Sequence, residues 1–126
     1  MEKEEIIEHF TSSCKDNMGG IYDVIRDCGF VLLKNDNKNS PKMTVFYQNG
    51  IRHKIIAVSS YLPYEINILL LEYMVTYYLK HQDSDIYMTI DEHYDFEEET
   101  AKVVDEINER LDNKVGKLLT QSCKYM

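Results

Sequence analysis

Several common devices are missing from this sequence. Two prolines in 126 residues exclude a long proline-rich linker. No low-complexity tract occurs, and no internal repeat of about 20–50 residues, which removes solenoids and arrays. The longest apolar run, Ile66 to Leu79, is interrupted by Asn67, Glu72 and Thr76. A membrane span needs roughly 20 mostly apolar residues, so this run predicts a buried helix instead. Met1-Glu2-Lys3-Glu4-Glu5 is acidic, whereas a signal peptide starts basic and turns apolar. The expectation is a soluble, unexported, cytoplasmic protein.

Catalytic and metal signatures are equally scarce. Cys14, Cys28 and Cys123 are odd in number and form no Cys-x-x-Cys pair, which argues against a disulfide framework and a thiolate zinc site. Reduced thiols are expected. His9, His53, His81 and His93 include no two spaced three or four apart, so no helical metal pair exists. Gly-x-Gly-x-x-Gly, P-loop and Gly-x-Ser-x-Gly motifs are absent. Gly19-Gly20 reads as a break between helices, and Ser59-Ser60 has no base placed to activate it. These absences predict a non-enzyme with no cofactor and no metal.

What remains is an ordinary globular composition, 44% hydrophobic and 29% charged, at a length that suits one domain over 1–126. Its net charge of −8 is lopsided. Residues 91–112 hold ten acids against Lys102 and Arg110, which accounts for all of it, since the remainder balances. Binding nucleic acid through phosphates needs clustered bases, so that partner class is disfavoured.

Hydrophobic spacing predicts the elements. Ile6, Ile7, Phe10 and Cys14 mark a helix over Glu2 to Cys14, and Ile21, Val24, Ile25 and Cys28 mark a second that stops at Gly29. Phe30-Val31-Leu32-Leu33 reads as a strand, followed by a loop from Asn35 to Pro41. Asn49-Gly50 between Met43–Gln48 and Ile51–Val58 predicts a type I′ hairpin, with Tyr47 opposite Arg52, Phe46 opposite His53 and Val45 opposite Lys54. Pro63 and Glu65 open a central helix that is apolar on nearly every side. Ile86, Met88 and Ile90 alternate as a fourth strand. Asp95 as cap, with Glu98 at the third position, opens a last helix whose apolar stripe runs from Phe96 through Ile107 to Val115 and Leu118. The order ααβββαβα predicts an α+β fold: a small antiparallel sheet of three to four strands packed on a central buried helix and a long amphipathic C-terminal helix.

Three groups of residues are candidates for function. Glu72 sits midway along the central apolar helix, where an unpaired carboxylate holds its proton and can serve as a general acid or base. With His81 or His93 it defines a hydrolase reading, against a bland reading in which Glu72 reaches an edge or pairs with Lys80, Lys54 or a tyrosine. Ten tyrosines is a high count, mostly assigned to packing, with a few exposed as interface anchors. The outer face of the last helix, with Glu98, Glu99, Asp105, Glu106 and Glu109, is either solvated surface or a docking face for a protein with a basic surface.

The chain also resembles ImmA/IrrE-type domains, small zinc peptidase-like domains of phages, mobile elements and stress regulators. The stretches that carry the resemblance are Ile21 to Val31, the hairpin around Asn49-Gly50, Leu71-Glu72-Tyr73-Met74-Val75 with Tyr78 to His81, and Phe96 to Ala101. Leu71 and Val75 stand where that family has its zinc-binding histidines, and Glu98 is nearest to the third ligand. Aliphatic side chains cannot ligate zinc, so the resemblance implies a pseudo-enzyme that keeps the fold to bind a protein. The element order is also similar to type III secretion chaperones, which are small acidic α/β dimers. A phage-type inhibitor that offers an acidic face is a third reading. The reading favoured here is a non-catalytic acidic protein-binding module, a regulator or inhibitor.

Overall fold

A computed structural model describes residues 1–35 and 40–112. Among them are α1 (Lys3–Ser13), a 3-10 turn (Met18–Gly20), α2 (Ile21–Asp27), β1 (Val31–Asn35), β2 (Lys42–Gln48), β3 (Ile51–Ser59), α3 (Tyr64–Lys80), β4 (Ile86–Thr89) and α4 (Glu98–Arg110). The fold is α+β, in the order the sequence predicts.

The hairpin is the most local feature. Asn49 and Gly50 both have positive φ, 53° and 76°, as a type I′ turn requires. The two-residue loop sets the predicted register: Tyr47 lies opposite Arg52, Phe46 opposite His53 and Val45 opposite Lys54. The Phe46 and His53 rings stack at 5.0 Å.

The sheet itself differs from expectation. Its order is β1-β3-β2-β4, and β1 runs parallel to β3, so the sheet is mixed rather than antiparallel. The chain leaves β1, passes over one strand position and starts β2. The tight turn then folds β3 back into the gap, and β3 necessarily runs the same way as β1. Periodicity specifies which residues share a face, not which strand lies alongside.

One face of the sheet meets the helices and contributes Met43, Val45, Ile56, Ile86 and Met88 to the core. Followed by register, the opposite face carries Val31, Leu33, Thr44, Phe46, Ile55 and Tyr87, all half-buried or exposed. α3 is the centre of the helical layer. Every residue from Ile68 to Thr76 is buried, as are Tyr78 and Leu79, which is what an all-round apolar helix needs. α1, α2 and α4 pack around it. Gly20 lets the 3-10 turn press against α1, since a Cβ there would lie 1.8 Å from the Ser13 carbonyl oxygen.

The start of α4 is also corrected. Its N-cap is Glu97, not Asp95, and no side chain caps it. The Glu97 carboxylate turns instead to the Thr100 hydroxyl and to His81. The Glu97 N–H donates to Tyr73 Oη at 2.8 Å, so the entry to α4 is fixed by α3. α4 keeps its amphipathic stripe, with Thr100, Ala101, Val103, Val104, Ile107 and Asn108 buried. Val115, Leu118 and Cys123 lie outside the described residues.

Candidate functional site

The acidic residues of α4 do not form one uniform patch. Glu98 pairs with Lys102 one turn on, at 3.2 Å. Glu99 lies 3.5 Å from Lys80 of α3. Glu106 lies 3.0 Å from Lys3 of α1 and 3.4 Å from Arg110. Glu109 is exposed, whereas Asp105, expected on the outer face, is half-buried. Asp105 approaches Glu72 closely enough for its charge to act on that carboxyl. Helix geometry explains the split: Asp105 follows Val104 and precedes Ile107 on the shoulder of the buried stripe. Counting Lys3 and Lys80 with the 91–112 segment still leaves ten acids against four bases, so the surface stays strongly negative. Exposed pairs of this kind contribute little to stability.

Glu72 is buried outright, with 0% exposure. Loss of hydration is the main force on it and raises its pKa to about 8. The Asn108 side chain opposes this by favouring the charged form, and the Asp105 charge adds to it. Neither Glu72 oxygen has a hydrogen bond of good geometry, so the influence of Asn108 is the weaker one. Thr76, one turn along α3, is likewise fully buried, and its hydroxyl has no hydrogen-bond partner. Cys14, at the end of α1, has its thiol pushed up to about 11 by burial, with Glu72 and Asp23 adding to the shift. Such a thiol is a poor nucleophile. A groove of about 410 Å³ lies where Met1, Lys3, Lys80, Glu99 and Lys102 meet. Another, of about 270 Å³, is lined by His9, Cys28, Lys54 and Tyr78. Glu72 lines neither.

His81 and His93 have separate partners. His81 Nε2 lies 3.1 Å from Glu97 Oε2, and His93 Nε2 lies 3.3 Å from Glu92 on the surface. Partial burial pushes the Glu97 pKa up, but bonds from Thr100 and His81, together with the charges of His81 and Lys80, outweigh it and hold the carboxyl below its usual range. Among the described residues, no group of three or more His, Cys, Asp or Glu side chains is arranged to hold a metal ion. Leu71 and Val75, which stand at the histidine positions of the ImmA/IrrE-type pattern, are fully buried beside Glu72, while Glu98 is exposed.

More tyrosines lie on the surface than the sequence predicts, since five of the nine described ones are exposed. Tyr73 and Tyr78 are buried, and Tyr73 Oη lies 2.9 Å from Tyr94 Oη within an edge-to-face cluster that includes Phe96. Tyr22, Tyr47, Tyr61, Tyr64 and Tyr87 are exposed.

One surface feature was not anticipated. Val31, Leu32 and Leu33 of β1 are 55%, 38% and 51% exposed. In sequence, Phe30 to Leu33 is a plain apolar run, which looks the same whether a strand is covered or lies at an edge. Two residues have roles that the sequence did not give them: Glu97 was only one of the acids, and Lys54 was a strand position opposite Val45 and a candidate partner of Glu72. Lys54 Nζ donates to the Cys28 carbonyl at 2.5 Å and to Tyr78 Oη at 3.2 Å, tying β3 to α2 and α3.

Among the described residues, no helix is long and apolar enough to cross a membrane. No protein-family model matches this chain, and neither a curated protein nor a solved structure does.

Proposed function

We propose that the protein is a non-catalytic protein-binding module, a regulator or inhibitor that occupies a protein partner with a basic surface. The observation that carries this reading is the concentration of the entire net charge of −8 in residues 91–112, with Glu98, Glu99 and Glu109 exposed along α4. A dense single-sign surface steers an oppositely charged partner and fixes its orientation. The hydrolase reading has less behind it. Glu72, its general base, has no exposure, and each candidate histidine is engaged by a different carboxylate.

The test compares wild type with the Glu98→Lys, Glu99→Lys, Glu109→Lys triple variant, both immobilised, in capture experiments at low and moderate salt read by mass spectrometry. All three side chains are exposed, so the fold is expected to survive, which circular dichroism checks. The expected result is a basic protein held by wild type at low salt, weakened by salt and lost by the variant. The same captured set from both proteins would remove α4 as the contact surface.

A further inference from the structure

We infer that the seam between α3 and α4 is a proton-operated latch: a protonated Glu72 lets the second half of α4 seat on α3, and loss of that proton unseats this half while the start of α4 stays pinned. This goes beyond the binding role proposed for α4 and does not depend on it.

The two halves of α4 are held differently. At the start, the Glu97 N–H donates to the hydroxyl of the buried Tyr73 at 2.8 Å. The Glu97 carboxylate meets His81 and Thr100, and Lys80 lies 3.4 Å from it. The Ala101 N–H closes the first turn on the Glu97 carbonyl at 2.9 Å. Further along, the ion pairs lie near the surface. Glu106 meets Lys3 at 3.0 Å, and Arg110 reaches Glu4 at 3.4 Å. Pairs of this kind contribute little. The second half is therefore seated mainly by apolar packing through Val104 and Ile107.

Glu72 acts on that second half. It is fully buried, and neither of its oxygens has a hydrogen bond of good geometry. Thr76, one turn along α3, adds a buried hydroxyl in the same condition. A neutral carboxyl tolerates such a place, whereas a carboxylate requires a cation, donors or water. From α4 come Asp105, whose charge opposes ionisation, and Asn108, which favours it but also donates to the Val104 carbonyl at 2.9 Å. From α1 comes the Cys14 thiol, itself held neutral by burial. On α2, Asp23 acts on Cys14 and pairs with Arg26 at the surface. On β3, Lys54 is bonded to the Cys28 carbonyl and Tyr78 Oη. None of these groups brings a cation to Glu72. Water is left as the relief for an ionised Glu72, and it enters by displacing the half of α4 that lacks buried polar ties.

Opening gains with pH. Burial raises the Glu72 pKa from 4.5 to about 8, and exposure on opening returns it towards the lower value. Below the lower value both forms keep the proton. Between the two values only the open form loses it, and opening becomes about tenfold easier per pH unit. Above the upper value both have lost it and the gain stops.

The experiment is hydrogen exchange of the full chain from pH 5 to 8, with each amide corrected for its intrinsic rate, for wild type and Glu72→Gln. Protection of residues 104–108 in wild type is expected to fall about tenfold per pH unit, or roughly 100-fold between pH 5 and 7. In Glu72→Gln it should be flat. Low urea should leave exchange at residues 104–108 unchanged while it speeds exchange at Ala101 and in β2 and β3, because those open only when the whole molecule unfolds. Asp105→Asn supplies a second variant: with one opposing charge gone, the rise should end at a lower pH. Protection at residues 104–108 that matches β3 in size and urea response overturns the latch, since only global unfolding would then expose Glu72. Local opening that is flat with pH in wild type is ordinary helix fraying and overturns it too, as does an unchanged pH slope in Glu72→Gln.

Discussion

The seam between α3 and α4 and the outer edge of β1 break the same rule in opposite directions. The seam buries Glu72, an ionisable group with no hydrogen bond of good geometry, while the edge exposes three aliphatic side chains. Their consequences differ in kind. Burying a carboxyl has a cost inside the monomer, and that cost varies with pH because the group can keep its proton. Exposing aliphatics takes little from the folded monomer, since about half of each side chain faces solvent there. It leaves apolar area whose burial becomes favourable only when something else arrives. A buried oddity is thus best probed by stability, and an exposed one by association.

The largest effect should come from Glu72→Gln. Folding raises the Glu72 pKa from 4.5 to about 8. Below the lower value the group is protonated in both states and contributes no pH dependence. As pH rises towards the upper value, the unfolded chain loses the proton while the folded one keeps it, and stability falls. At pH 7 the loss amounts to about 3 kcal/mol, at about 1.4 kcal/mol per pH unit. Glu72→Gln has no such loss, so its advantage over wild type should grow by about that amount between pH 4.5 and 7. Urea unfolding across this range measures it, and parallel pH profiles would mean that the seam admits water.

A smaller effect is expected at Tyr73→Phe. This change removes one hydroxyl that meets both Tyr94 Oη and the Glu97 N–H. The loss should be about 1–2 kcal/mol in thermal or urea unfolding. A loss near zero would show that α4 does not rely on Tyr73 for its start. The smallest effect belongs to the edge. Leu33→Lys should change the stability of the dilute monomer by no more than about 0.5 kcal/mol. A loss of several kcal/mol would show that Leu33 packs within the monomer and would end the contrast between the two regions.

Local chemistry made much of the fold legible. Asn-Gly demands positive φ twice, so the hairpin and its register follow from two residues. An all-round apolar α3 follows from composition, and Glu72 within it was recognisable as an ionisable group in a buried setting. Gly29, with φ of 82°, closes α2 where the stripe ends. Relations between distant segments were not legible. Nothing near Val31 says that it pairs in parallel with Ile55, and nothing near Glu106 says that Lys3 will meet it. By residue type and spacing Asp95 is the better cap, with Glu98 three residues on, yet the helix starts after Glu97. The choice depends on Tyr73 and His81, which meet Glu97 only once α3 and α4 have packed, with the nearby Thr100 hydroxyl adding a local bond. The candidate site shows the same limit, since five acids that look alike in sequence divide into paired, exposed and half-buried positions.

The parallel pairing of β1 with β3 also sets an order of events. The β2–β3 hairpin closes over two residues and needs no other element in place. β1 must find a partner that begins 20 residues after its own start, and that partner is presented only after the hairpin has turned. Closing a longer loop forgoes more chain entropy before any contact repays it, so β1 follows the hairpin and, by the same measure, precedes β4, whose pairing with β2 joins residues still further apart in the chain. During synthesis and refolding, the hairpin would then stand for a time with the β3 side open. The strand that arrives there first, whether its own β1 or that of a neighbouring chain, decides between a closed monomer and an exchanged pair.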